Sequence, residues 1–130
     1  MYFLMNMEFR GDLRDLLIKK QSTCGYDGAA IVKKDGTLLS AYLPTCTNPD
    51  VFSIMSATMM GAAETAKSEL KINSNLEEIN VKAGSKLILA REINKELILI
   101  LLLSDMQRDN AEQALHAIIK EINDVYTQKL

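Results

Sequence analysis

Glu96–Leu103 reads ELILILLL, a strand with no polar position on either face after its first residue. Successive side chains in a strand point to opposite sides of a sheet, so an unbroken aliphatic run means that both sides are covered. The run therefore predicts a strand at or near the centre of a sheet with helices packed above and below it. Upstream, Glu92–Lys95 turns the chain back into a strand over Lys86–Arg91. Before that, Ala83–Ser85 turns it around Gly84 into a strand over Glu77–Lys82, with Ile79 and Val81 inward and Glu78 and Asn80 outward. Downstream, a loop over Asp105–Asp109 leads to Ala111, Leu115, Ile118, Ile122 and Val125, whose spacings of three and four predict an amphipathic helix.

The first half of the chain supplies the rest. Glu8–Gln21 carries Phe9, Leu13, Leu16 and Leu17 at helical spacing and ends on Lys19 and Lys20, which suit the negative end of a helix dipole. Tyr26–Tyr42 reads as a hairpin of Ala29–Lys33 and Thr37–Tyr42 joined at KKDG, where Gly36 supplies a positive φ. The order is helix, hairpin, long helix, three-stranded meander, helix. Tight turns join antiparallel partners, so the expected architecture is a three-layer α/β/α sandwich around a mostly antiparallel sheet of about five strands.

The long helix, Asn48–Leu70, is the unusual element. Asn48 caps it, Pro49 fits the first helical position and Asp50 meets the positive end of the dipole. No charge occurs between Asp50 and Glu64. At about 100° per residue, Phe52, Met55, Met59, Ala62, Ala63, Ala66 and Leu70 fall on one arc, taken as the core face. Ile54, Ala57, Thr58, Gly61 and Thr65 fall on a second arc, and Met60 points away from the first. A helix on its own sheet needs one apolar arc, so the second predicts a further covering element. The small stripe Ala57, Gly61, Thr65 would let another backbone approach closely, as in a symmetric helix pair; an overlying loop is the simpler occupant.

With 130 residues, 48% hydrophobic and 25% charged, the chain is expected to form one globular domain over 1–130. A net charge of −2 offers no attraction to nucleic acid or anionic lipid, and no uncharged run reaches the length of a membrane span. MYFLMNM at the start lacks the basic region of a signal peptide, and Met1, Met5 and Met7 are each acceptable starts, so the expected location is cytoplasmic. Cys24 and Cys46 fall near each other if Ile31 pairs with Leu38, but reduced thiols at the hairpin ends are the plainer expectation.

Catalytic signals are scarce. The single histidine, His116, sits in a helix without an acidic partner at hydrogen-bonding spacing, and phosphate-loop, dinucleotide, nucleophile-elbow and zincin motifs are absent from the sequence. Glu77 and Glu78 are adjacent in a strand and point apart, so they are not a catalytic pair. Two cysteines and one histidine supply no metal set with recognised spacing. No catalytic, cofactor-binding or metal-binding residue is assigned and no cofactor is expected.

The segment GYDGAAIVKKDGTLLSAYLP, the long uncharged helix ending MMGAAETAKSEL, the meander ending ELILILLL and the closing helix together resemble the roadblock / dynein light-chain domain, over about residues 8–126. Gly28, Ala29 and Ala30 in the first strand, Asp35 and Gly36 at the turn and Ser40 or Ala41 at the second strand's end carry the likeness. The resemblance implies a profilin-like sheet ordered 2-1-5-4-3, with the long helix on one face and the terminal helices on the other. It further implies a homodimer whose long helices lie side by side and whose third strands join, placing Ile54, Ala57, Thr58, Gly61 and Thr65 near the axis. Met60 on the helix and Glu78 and Asn80 on the joining edge complete the expected interface. The implied function is that of a non-enzymatic regulator or scaffold of a Ras-like small GTPase. The alternatives are a ligand sensor of profilin or PAS type, disfavoured by the apolar set Met55, Met59, Ile88, Leu99 and Leu101, and a purely structural subunit. Arg91 and Arg108 are expected at the surface rather than as arginine fingers.

Overall fold

The computed structural model describes residues 2–104 and 108–128, with side chains from Phe9 to Ser104 and from Ala111 to Thr127. Among the described residues the order is α1 (Tyr2–Cys24), β1 (Gly28–Lys33), β2 (Leu38–Tyr42), α2 (Pro49–Glu69), β3 (Glu78–Ala83), β4 (Lys86–Glu92), β5 (Leu97–Ser104) and α3 (Arg108–Gln128). Helix α1 begins six residues before the Glu8 expected from periodicity, and α3 takes up part of the expected 105–109 loop.

All sheet pairings are antiparallel, in the order β2-β1-β5-β4-β3. Strand β5 lies in the middle, and Leu97 to Leu101 are each at most 1% exposed, as the unalternating sequence requires. Its side chains divide between two cores. Leu97, Leu99, Leu101 and Leu103 join Phe9, Leu13 and Leu17 of α1 and Leu115, Ile118 and Ile122 of α3 on one face. Ile98 and Ile100 join Ala30, Val32, Ala90 and Met60 of α2 on the other. The result is the expected three-layer sandwich. The apolar set expected to line the core between sheet and helix is therefore split: Leu99 and Leu101 face α1 and α3, Ile88 faces α2, and Met55 is 61% exposed.

Local chemistry fixes the connections. Gly36 turns β1 into β2 at φ 97°, and a bulge between Ile31 and Val32 sets the register as Ile31 opposite Ser40 and Val32 opposite Leu38. The expected Ile31–Leu38 pairing is thus displaced, and both Cys24 and Cys46 are free thiols. Gly28 is required for space: a Cβ there would stand 3.1 Å from both Pro44 Cδ and the Tyr42 carbonyl oxygen. Asn48 caps α2 through Oδ1, which accepts from the Asp50 and Val51 amides at 3.1 and 3.2 Å. Helix α2 ends at Leu70, and Lys71 takes a left-handed φ of 58° while the Ile72 amide donates back to the Lys67 carbonyl. The α1 side is pinned by Tyr26, fully buried, whose hydroxyl donates to the Leu17 carbonyl.

Candidate interaction surface

Helix α2 meets the sheet along a line that hydrophobicity alone does not reveal. Its buried residues are Ser53, Ser56 and Met60, which share one side at about 100° per residue. The serines can be buried because their hydroxyls have partners: the one proton of Ser53 Oγ is shared between the Gly36 and Asp50 carbonyls, each at 2.9 Å, and Ser56 Oγ donates to the Phe52 carbonyl at 2.8 Å. Being small, they let the helix sit close on the sheet, and Met60 fills the remaining gap at 3% exposure. Two expectations are corrected here. Met60 belongs to the core and not to the outer surface, whereas Met55, assigned to the core, is exposed. Ala62, Ala66 and Leu70 are exposed as well.

The opposite side of α2 is uncharged and uncovered over four turns. Val51, Ile54, Met55, Thr58, Gly61, Ala62, Thr65 and Ala66 are all exposed. Ile54 and Met55 leave 60% and 61% of their surface exposed. The two threonines do not compete for water as strongly as their type implies, because Thr58 Oγ1 donates to the Ile54 carbonyl at 2.8 Å and Thr65 Oγ1 to the Gly61 carbonyl at 3.0 Å. Among the described residues a Cβ on Gly61 would meet nothing within 4 Å, so none of them calls for glycine in the middle of this helix.

Of the residues expected on this surface, Ile54, Thr58, Gly61 and Thr65 are brought together on the exposed face. Ala57 lies at its flank, half-buried, with its Cβ 3.7 Å from where a Cβ on Gly36 would stand. Val51, Met55, Ala62 and Ala66 were missed. The signal was present: Val51, Met55, Thr58, Ala62 and Thr65 follow spacings of four, three, four and three, the seam pattern of paired helices.

Strand β3 lies at the sheet edge on the same side of the molecule's order as the meander begins, with β4 as its only neighbour in the sheet. Ile79 packs with the α2-side core, while Glu78, Asn80 and Lys82 pair across from Arg91, Leu89 and Leu87 on the other face. Glu78 is half-buried and Asn80 exposed. Glu78 accepts from Arg91 through one carboxylate oxygen and from Asn80 Nδ2 at 2.7 Å through the other. Arg91 also reaches Glu112 of α3 with bonds of 3.2 and 2.9 Å, so one guanidinium ties β3, β4 and α3 together. Burial acts to lower the Arg91 pKa, but the hydrogen bonds and charges of Glu112 and Glu78 outweigh it and hold the group above its ordinary value. The side chain of Arg108 lies outside the described residues. Beside this cluster an open groove of about 560 Å³ is lined by Asn75, Leu76, Glu77, Glu92, His116 and Ile119, among others. His116 is exposed on α3. Among the described residues no group of three or more His, Cys, Asp or Glu could hold a metal ion, and no helix is long and apolar enough to cross a membrane.

A model of the roadblock/LC7 domain matches residues 8–103, which takes in α1 from residue 8 onward, the hairpin, α2 and nearly all of the meander. The chain belongs to the roadblock/LC7 domain family. Solved roadblock-type structures share its fold at low identity. Myxococcus xanthus MglB superposes with a TM-score of 0.80 at 9% identity, covering 93% of this chain and 92% of MglB. A roadblock/LC7 domain from Streptomyces avermitilis gives 0.72 at 12% identity, covering 78% and 86% of the two chains. The profilin of Schizosaccharomyces pombe gives 0.60 at 16% identity, covering 86% and 97%, which places this roadblock domain among profilin-like folds. No curated protein sequence matches the chain.

Proposed function

We propose that this roadblock domain is a non-enzymatic homodimer, built through the outer face of α2 and the edge of β3, that binds a Ras-like small GTPase and tunes its nucleotide cycle or its position. The observation that carries the reading is the exposed, uncharged side of α2 directly opposite its sheet-facing side. An apolar stripe four turns long, with glycine at its centre, suits a second helix of the same kind better than water. Two-fold symmetry would cover the same stripe on both subunits at once. One solved MglB is described as having a tetrameric arrangement, so higher assembly of this fold has precedent in a relative.

Action on a GTPase would work without a donated arginine. Arg91 is held by Glu78 and Glu112, and withdrawing it would leave two carboxylates half-buried without their cation. The dimer would act instead by holding the GTPase's switch segments in one arrangement, a population shift of the partner's own mobile elements. Light scattering on the purified chain at micromolar concentration should give twice the monomer mass; a monomer at that concentration rejects the self-association. A Ras-like GTPase encoded beside the gene should bind the dimer with unequal affinity in its GTP-analogue and GDP states. Equal affinity would leave a scaffold role and reject regulation, and absence of binding in both states would reject the GTPase reading.

A further inference from the structure

We infer that the open edge of β2 is a docking site for an extended, acidic segment of a partner polypeptide, with Arg10 as the residue that holds its carboxylate. The site lies at the other end of the sheet from β3 and depends neither on the homodimer nor on the GTPase reading.

A cavity of about 440 Å³ is lined by Arg10 of α1, by Thr37, Leu38 and Leu39 where β2 begins, and by Asp50 and Ile54 of α2. Helices α1 and α2 pack on opposite faces of the sheet, so residues from both can border one space only round the sheet's edge. That edge is β2, whose only neighbour in the sheet is β1. An edge strand carries backbone N–H and C=O groups that no other strand has taken, which makes it a template for an added strand. A side chain holds α1 in place beside it: Ser40 Oγ, on a residue only 7% exposed, donates to the Arg10 carbonyl.

Arg10 says what the segment carries. Its side chain is half-buried, and Nε is shut off from water without gaining a hydrogen bond among the described residues. Arg91 is gripped by Glu78 and Glu112, whereas Arg10 has no such carboxylate among the described residues. Buried polar groups are nearly always paired, and an unpaired one costs stability that a ligand can recover. Other donors at the cavity are already committed: the Thr37 amide donates to Asp35 Oδ1 at 2.9 Å, and the Ser53 hydroxyl proton is shared between two carbonyls. A negative charge entering here is therefore met by the guanidinium. Nε–H and a neighbouring Nη–H form a parallel fork that fits the two oxygens of a carboxylate, and side-chain torsions suffice to turn it into the cavity. Asp50 lines the same cavity, and its charge opposes a doubly charged phosphate more than a single carboxylate. Along an added strand, successive side chains point to opposite faces. An Asp or Glu reaching Arg10 on the α1 side is thus flanked by residues on the α2 side, where Leu38 packs with that core. The favoured segment reads apolar, acidic, apolar.

The probe is the blocked peptide Ac-Thr-Val-Glu-Val-Thr-NH2, titrated into the isotope-labelled full chain and followed by amide NMR. It should shift the amides of residues 37–39, and the same peptide with glutamine in place of glutamate should bind about 10-fold or more weakly. Arg10→Gln should remove that preference, and inorganic phosphate should leave these amides unmoved. Equal binding of the two peptides, or a preference that survives Arg10→Gln, would overturn the role given to Arg10. Phosphate acting as strongly as the peptide, or no shift at residues 37–39 with millimolar peptide, would overturn the docking site. Arg10→Met tests the unpaired guanidinium without any ligand. It keeps an apolar stem and good helix propensity, so its urea midpoint should equal or exceed that of the wild type. A clear fall would show that Arg10 is satisfied within the free protein and would remove the ground for the site.

Discussion

Glycine 61 offers the most direct test, because its effects on the subunit and on the assembly should have opposite signs. In the middle of a helix, glycine is about 0.8–1 kcal/mol less favourable than alanine. Among the described residues nothing compensates, since a Cβ at this position has open space around it. Gly61→Ala should therefore stabilise the isolated subunit by about 1 kcal/mol, and Gly61→Leu by slightly less. If α2 of a second copy lies across this point, each added side chain meets a backbone placed for glycine. Overpacking costs about 1–3 kcal/mol per site, and symmetry applies it from both subunits. The dimer dissociation constant should then rise by about 10-fold or more for alanine and further for leucine. Sedimentation equilibrium gives the dissociation constant, and urea unfolding well below that concentration gives the subunit's stability. A variant whose dimerisation is unchanged, or strengthened along with its fold, would show that the small stripe is not a contact between helices.

Other substitutions separate the two sides of α2. Met60→Ala should cost about 2–5 kcal/mol of unfolding free energy by urea titration, whereas Met55→Ala should leave the dilute subunit within about 0.5 kcal/mol of wild type and act on association instead. Gly28→Val should destabilise the fold by about 1–3 kcal/mol in the same assay, because the Tyr42 carbonyl that its Cβ would approach at 3.1 Å is backbone and cannot swing aside. Burial first, with Cys24 and Tyr42 adding to it, holds the Tyr26 phenol far above the ordinary tyrosine value of 10.0. Its protonated form is the one the fold favours, so its contribution to stability is complete below pH 10 and declines above that. Ultraviolet titration should show Tyr26 ionising only with unfolding, and Tyr26→Phe should abolish that step.

The layered fold was legible because its strongest signals are periodic and local. The aliphatic run of β5 could be satisfied only between two helical layers, and the hairpin and meander turns left an antiparallel sheet as the natural outcome. The orientation of α2 was not legible, for a physical reason. Sorting a helix by hydrophobicity assumes that its most apolar arc is the buried one. Here the buried line contains Ser53 and Ser56, whose hydroxyls are satisfied by Gly36, Asp50 and Phe52 carbonyls and so lose little on leaving water. The apolar residues displaced from the core face, Met55 above all, became part of the exposed side. The placement of Ile54, Thr58, Gly61 and Thr65 survived because that arc was read as small and excess to the sheet's needs. The Arg91 cluster was invisible, since Glu78 and Glu112 are thirty-four residues apart and meet only through the pairing of β3 with β4 and the return of α3.

The serine-lined underside of α2 has a consequence for how tightly the layers are fastened. On the other face of the sheet, α1 and α3 anchor through interlocking leucines, isoleucines and a phenylalanine. Helix α2 is held by Met60 with help from Phe52. Local opening takes place where few large side chains must be uncovered, so α2 should detach in sub-global excursions of lower free energy than those that expose β5. Its amides should exchange with deuterium ahead of the sheet's in dilute solution, and their protection should grow with protein concentration as a second copy clamps the helix from outside. The layer with the weakest hold on its own subunit would then draw its rigidity from its neighbour.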